Sequence, residues 1–337
     1  MRDSHGKTQV HDNNCPYLGE KKQECGCPLR LACGTVASVI SQLKTIFDDC
    51  GRTGDWVESG LLKYGNPVSS NIVSQYLKAV KLEQAKAHVL IKQATPLFLD
   101  KLKLVSVHIE TSLTEGPLSF CRRFVLLRDR AFFTLQFFAG DRASDLSQCM
   151  AQEVKALPEG KGLFFRHTIG KTLGNGKVNE FVISPVKDKS LCPVENLNIY
   201  VTEVEKMGVD LSVGFLFRAL DPSHSKVIES PVSSSGMTLR LQSYLKDLSV
   251  FDGETIHGIR GGCAITLMSK GIANPEEVMQ HVGWFNKSSL DRYSRMGKMV
   301  DSSSLSQLFA NTADSRLSET SSIFKKFGDF SKLPKAF

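Results

Sequence analysis

The run FVLLRDRAFFTLQFFAGDRASDL, residues 124–146, decides the architecture of most of this chain. Phe124, Leu127, Ala131, Phe132, Leu135 and Phe138 recur at spacings of three and four, the period of a helix that buries an apolar face. Gly140 stops that helix, since glycine accepts the left-handed backbone on which helices end. Asp141, Arg142, Ala143, Ser144 and Asp145 follow at once. A buried helix therefore delivers an arginine, with a carboxylate three residues on.

C-terminal to this run, GLFFRHTIGKTL (162–173) and KVNEFVIS (177–184) are β-rich and separated by Gly174-Asn175-Gly176, residues suited to a hairpin turn. Lys171 and Lys177 flank the tip. Apolar periodicity then predicts helices near 194–208, 211–220, 237–249, 255–270, 275–283 and 286–297. Beyond residue 303 the chain is a Ser-rich polar tail.

N-terminal to the run, Val36, Val39, Ile40, Leu43, Ile46 and Phe47 mark one amphipathic helix, and Val73, Tyr76, Leu77 and Val80 a second, with Ser69 or Ser70 as its N-cap. A third is predicted from about Pro96 to Ile109. These helices form a small all-helical domain over 34–112, with Lys78, Lys81 and Lys86 making one side basic. TSLTEGPLSF (111–120) combines Gly, Pro and small polar residues, so a linker is placed at 113–118. Residues 119–303 are the larger domain, and residues 1–33 are a polar, Cys-rich arm to which no fold is assigned.

Composition bounds the function. A 41% hydrophobic, 23% charged chain of 337 residues can bury two cores, and 42 Lys plus Arg against 35 Asp plus Glu favours a polyanionic partner. No stretch has the roughly 20 apolar residues of a membrane span, and the start lacks a signal-peptide core, so an intracellular, membrane-free protein is expected. The nine cysteines are odd in number and front-loaded. Cys15, Cys25, Cys27 and Cys33 lack paired C-x-x-C spacing, so free thiols and no metal site are expected.

Three pairs share an i, i+3 relation that puts both side chains on one helix face: Arg142 with Asp145, His257 with Arg260, and His281 with Trp284. Singly, each is an ordinary surface pair or core aromatic. His88, His108, His167 and His224 have no evident partner in the sequence. In order, however, AGDRASDL, the hairpin lysine, HGIRGG and HVGWFNKSSLDRY resemble the tyrosine recombinases, the family of phage integrases, Cre and the Xer proteins. Tyr293 lies nine residues after Trp284, 33 after Arg260 and 151 after Arg142, intervals similar to the family's own. GNPVSS followed by a helix and ATPLF resembles the eukaryotic Crypton-like branch.

The resemblance implies a mainly α fold with a small antiparallel sheet, built as a helical core-binding domain and a catalytic domain that clamp duplex DNA in a C shape. It also implies four protomers on two duplexes and, from the eukaryotic likeness, a nuclear location. The chemistry of the residues fits cleavage of a phosphodiester without metal or ATP. Tyr293 is the candidate nucleophile, forming a 3′-phosphotyrosyl link. Arg142 and Arg260 would clamp the nonbridging oxygens with planar guanidinium forks. His257 and Trp284 would complete the phosphate pocket, and Lys171, with Lys177 as rival, would protonate the departing 5′-oxygen. Asp145 would orient Arg142 or His257, His281 would be structural, and Lys78, Lys81, Lys86 and Lys177 would contact DNA. Gly258, Gly261 and Gly262 imply close approach of the helix backbone to DNA or to another element. Two other readings share these residues: a domesticated DNA-binding protein without catalysis, and a type IB topoisomerase.

Overall fold

The computed structural model describes residues 7–20, 23–89, 94–170, 173, 178–269 and 274–283. The molecule is mostly helical with small antiparallel sheets. It divides into two compact units, residues 1–93 and 94–337.

The first unit begins with β1 (Lys7–Gln9), paired antiparallel to β2 (Leu29–Leu31). Helix α1 (Cys33–Asp49) leads to a hairpin of β3 (Val57–Ser59) and β4 (Leu62–Tyr64), and Ser70 caps α2 (Asn71–Lys86) by accepting from the Val73 N–H. Residues 7–20 and 23–31 are thus folded, where the sequence reading assigned no fold. The cause is long-range: Gln84 of α2 accepts from Cys33 N (2.9 Å) and donates to Leu31 O (2.8 Å), tying β2 to a helix some fifty residues away. Inside the arm, the Gln9 side chain is buried, donates to Cys25 O and Cys27 O, and accepts from Gln23 N.

The second unit is organised by α4 (Phe120–Ala139), capped by Ser119 and almost wholly buried. Helices α3 (Leu99–Thr114), α6 (Pro193–Lys206), α7 (Ser234–Asp247) and α8 (Ile256–Ser269) share one apolar core with it. The predicted boundary at 113–118 is therefore displaced to 93/94. Leu102, Val105 and Ile109 of α3 point into this core, and Ser106 accepts from Arg130 Nε of α4. A loop without apolar periodicity joins two helices of one unit here and marks no domain edge.

A three-stranded sheet holds β5 (Val154–Ala156), β6 (Leu163–His167) and β7 (Asn179–Ile183), with Phe165 opposite Phe181 and His167 opposite Asn179. The predicted helix at 211–220 is absent. Its end is β8 (Arg218–Leu220), paired with β9 (Val227–Pro231), while Leu211, Leu216 and Phe217 are buried in the common core. Val213, Leu216, Phe217 and Leu220 recur at spacings of three and four as in a helix, although the chain there is not helical.

Two glycines show why these helices meet so closely. Gly140 ends α4 at φ 60°, and a Cβ there would lie 2.9 Å from Val282 Cγ2 and 3.2 Å from Cys263 Sγ. A Cβ on Gly262 would fall 1.8 Å from Leu97 O. This part of HGIRGG packs against the 95–97 segment, and Gly258 O accepts from Leu97 N. No described helix is long and apolar enough to cross a membrane.

Candidate functional site

The end of α4 sets the site. Arg142 occupies the position just before α5 (Ala143–Ser147), and its Nη1 donates to Asp145 Oδ2 at 3.1 Å, while Ser144 Oγ donates to Asp145 Oδ1. The side chains of Arg142 and Asp145 are 23% and 8% exposed, so this pair is not the solvated helix-surface pair that i, i+3 spacing alone suggests. Asp141 is buried. Its Oδ1 accepts from Arg142 N at 2.8 Å and its Oδ2 lies 3.3 Å from His167 Nε2. Burial pushes the Asp141 carboxyl above the usual carboxylate range, while the nearby His167 and Arg260 pull it down.

Asp141, Arg142, Asp145, His167, Asn179 and Gly283 line one small cleft. Helix α8 comes to it because Gln136 of α4 donates to Ile256 O at 3.0 Å, which places Arg260, fully buried, close enough for its charge to act on Asp141. His257 lies three residues before Arg260 on the first turn of α8 and is exposed. Helix α9 (Pro275–Val282) is fastened by His281 Nε2, which donates to Phe138 O at 2.8 Å. That bond gives His281 an architectural place.

Lys171, Lys177, Trp284 and Tyr293 lie outside the described residues. The described chain nevertheless reaches the cleft immediately before two of them. Gly283 lines it, one residue ahead of Trp284, and a Cβ on Gly170 would lie 3.3 Å from Asp145 Oδ2, one residue ahead of Lys171. Lys78, Lys81 and Lys86 are exposed on α2.

Sequence reasoning passed over His167, Asp141 and Asn179. The signal for His167 was the period-2 alternation of β6, which puts it in phase with buried Leu163 and Phe165. It also passed over a second site, in the first unit. His11, Cys15, Cys25 and Cys27 offer four ligand atoms within 4.8 Å of one another. His11 Nδ1 lies 3.5 Å from Cys15 Sγ and 3.4 Å from Cys25 Sγ. Bond lengths typical of tetrahedral zinc put such nitrogen and sulfur ligands about 3.5 Å apart, so the donors fit a Cys₃His zinc centre. The Asp12 N–H, and then His11, bring the Cys27 thiol down to about 7, toward the thiolate a metal needs. Cys33 stands outside the quartet, whose fourth member is His11. The expectation of no metal site followed from reading cysteine spacing alone.

Residues 1–82 match the family model of the ALOG domain. The chain is 37% identical over 87 residues to Protein LIGHT-DEPENDENT SHORT HYPOCOTYLS 5 of Arabidopsis thaliana, covering 25% of this chain and 43% of that protein. It is 33% identical over 115 residues to LIGHT-DEPENDENT SHORT HYPOCOTYLS 8 of the same plant, covering 34% and 61%. Protein G1-like9 of Oryza sativa is 37% identical over 87 residues, 25% of this chain and 28% of that one. The chain thus spans less than two thirds of the curated relatives it matches. Among solved structures it is similar to the XerH site-specific recombinase bound to palindromic difH substrate (TM-score 0.48, 12% identity, 80% of this chain and 72% of that one). It is also similar to the Tn1549 transposon integrase in complex with circular intermediate DNA (TM-score 0.44, 16% identity, 78% and 75%).

Proposed function

We propose that this chain cuts and rejoins duplex DNA as a tyrosine recombinase. The observation that carries the reading is convergence at the cleft. Arg142, the charge of Arg260, and the residues directly preceding Lys171 and Trp284 come together, although Arg142 and Gly283 are 141 positions apart in sequence. Chance surface pairs would have no reason to meet.

In this reaction the Tyr293 hydroxyl loses its proton to solvent and its oxygen attacks the phosphorus. The P–O5′ bond breaks, and Lys171 gives its proton to the departing 5′-oxygen. Arg142 and Arg260 neutralise the nonbridging oxygens, with Asp145 holding the Arg142 fork. The 3′-phosphotyrosyl ester keeps the bond energy, so a 5′-hydroxyl reverses the step without ATP. The exposed lysines of α2 supply phosphate contacts, making binding strongly salt-dependent. The first unit, whose His11, Cys15, Cys25 and Cys27 would hold a zinc ion, adds binding surface, the working species is four protomers on two duplexes, and the place of work is the nucleus of a mobile element's host.

The test is covalent capture. A pool of nicked duplexes of random sequence is incubated with the protein in the absence of added metal, and adducts surviving denaturation are recovered and enriched. An adduct with the wild type and none with Tyr293→Phe supports the reading; salt-sensitive binding with no adduct overturns it. That second outcome is the mark of a DNA-binding protein without catalysis, a reading favoured by the ALOG match ending at residue 82, well before Arg142. Relaxation of supercoiled DNA with no exchange between duplexes would instead identify a topoisomerase.

A further inference from the structure

We infer that His167 and Asp141 form a buried positioning pair that ties the end of β6, the strand leading toward Lys171, to the Arg142 corner; this rests on the recombinase reading above. The pair sits where the two parts of the site are joined. Asp141 directly precedes Arg142 and holds its backbone N–H, and His167 ends β6, four residues before Lys171. The Asp141 carboxylate therefore spans the arginine corner and the strand that leads to the lysine, 2.8 Å to one and 3.3 Å to the other. A second link runs parallel to the first, since Gly170 rests against the Asp145 carboxylate that grips Arg142.

The environment is unusual for a structural histidine. The ring is 2% exposed and lies parallel to both Phe181, 5.4 Å between centroids at 14°, and Phe165, 6.2 Å at 13°. Among the described residues neither ring nitrogen makes a well-formed hydrogen bond, and neither does Asp141 Oδ2. Buried polar atoms left this way are costly, and a phenylalanine would fill the same slot in the aromatic stack. What an imidazole adds is an attractive link to Asp141 that a phenyl ring cannot make. Glu153 and Cys149 also lie close to the ring. The Glu153 carboxylate is engaged by Met150 N and Thr168 N, so it anchors the chain just after His167 and leaves the imidazole to Asp141.

The pair acts on placement of the proton donor and touches no reacting atom. The experiment measures single-turnover adduct formation on the duplex enriched above, in two forms: the natural phosphodiester, and one with sulfur at the 5′-bridging position, whose thiolate leaves without a proton. His167→Phe, which keeps the stack, and Asp141→Asn, which keeps the shape, should each slow the natural substrate about 100-fold, the scale of losing a positioned general acid. Both should cleave the sulfur substrate within about threefold of wild type, and His167→Gln should recover part of the natural rate. Rates on the natural substrate equal to wild type in both variants overturn the inference. So does a loss that sulfur does not restore, which would put the pair behind the phosphate clamp. If one variant does not fold, judged by its thermal transition, the other decides. A wild type that forms no adduct on any duplex overturns the recombinase reading itself.

Discussion

The two units of this molecule solve the problem of staying folded in opposite ways. In the second, α4 is buried along nearly its whole length and gathers four other helices into one apolar core. In the first, the buried apolar side chains among the described residues are Val10, Val36, Val80 and Ala87, while Leu61, Leu62 and Ile72 are exposed. Its long-range ties are instead polar: Gln84 to β2, Gln9 inside the arm, Asn66 to α1, and the His11, Cys15, Cys25, Cys27 quartet. A small segment cannot bury enough surface to offset its chain entropy, so buried polar ties carry more of the load there.

That contrast can be broken most sharply by metal. One zinc per chain should co-purify, and strong chelation or Cys25→Ser should unfold the first unit alone, because structural zinc contributes about 10–16 kcal/mol of apparent binding energy to small domains. Metal analysis with circular dichroism checks this; a metal-free first unit that stays folded would end the comparison. Phe132→Ala, in the middle of α4, should cost about 3–5 kcal/mol in urea unfolding of the second unit and leave the first unit's transition in place. Asn66→Ala should cost the first unit about 1–3 kcal/mol, since its buried amide donates to Lys44 O and Asp48 Oδ1 and accepts from Val68 N.

The smallest effect expected is at Asp188. Its carboxyl is held down at about 2 by Lys103 and then Ser190. A depressed carboxylate contributes stability that is present above its ordinary value and lost as pH falls toward 2. Asp188→Asn should therefore lower stability slightly at neutral pH, and its difference from wild type should shrink as pH falls from about 4 toward 2. Stability equal to wild type at neutral pH and through the acid limb would mean that the exposed Lys103 pairing contributes nothing measurable.

Legibility in the sequence followed the range of the interactions. Helices α1, α2, α4, α6, α8 and α9 were visible because apolar spacing of three and four reports a helix one turn at a time. The stop at Gly140 was visible because its backbone requirement is local. The irregular stretch at 211–217 defeated the same reasoning, since apolar residues spaced three and four apart can also lie on a chain that is not helical. The Arg142–Asp145 relation was legible as a spacing, but its burial was not. His167 showed only through the alternation of β6, and nothing near it in the sequence names Asp141 as its partner, 26 positions away.

By itself the sequence determined which side chains exist to do chemistry, and in what order: the arginines, the hairpin lysines, the HxxR turn and the tyrosine, each set by covalent neighbours and helical period. Tertiary structure alone decided which of them meet. It drew Arg260 to the Arg142 corner and buried His167 against Asp141, and it placed His11 rather than Cys33 beside the three clustered cysteines. The reason is that a periodic pattern encodes which face of an element is buried, whereas a hydrogen bond or a ligand shell joins two particular atoms, and the sequence distance between them is arbitrary until the chain has folded.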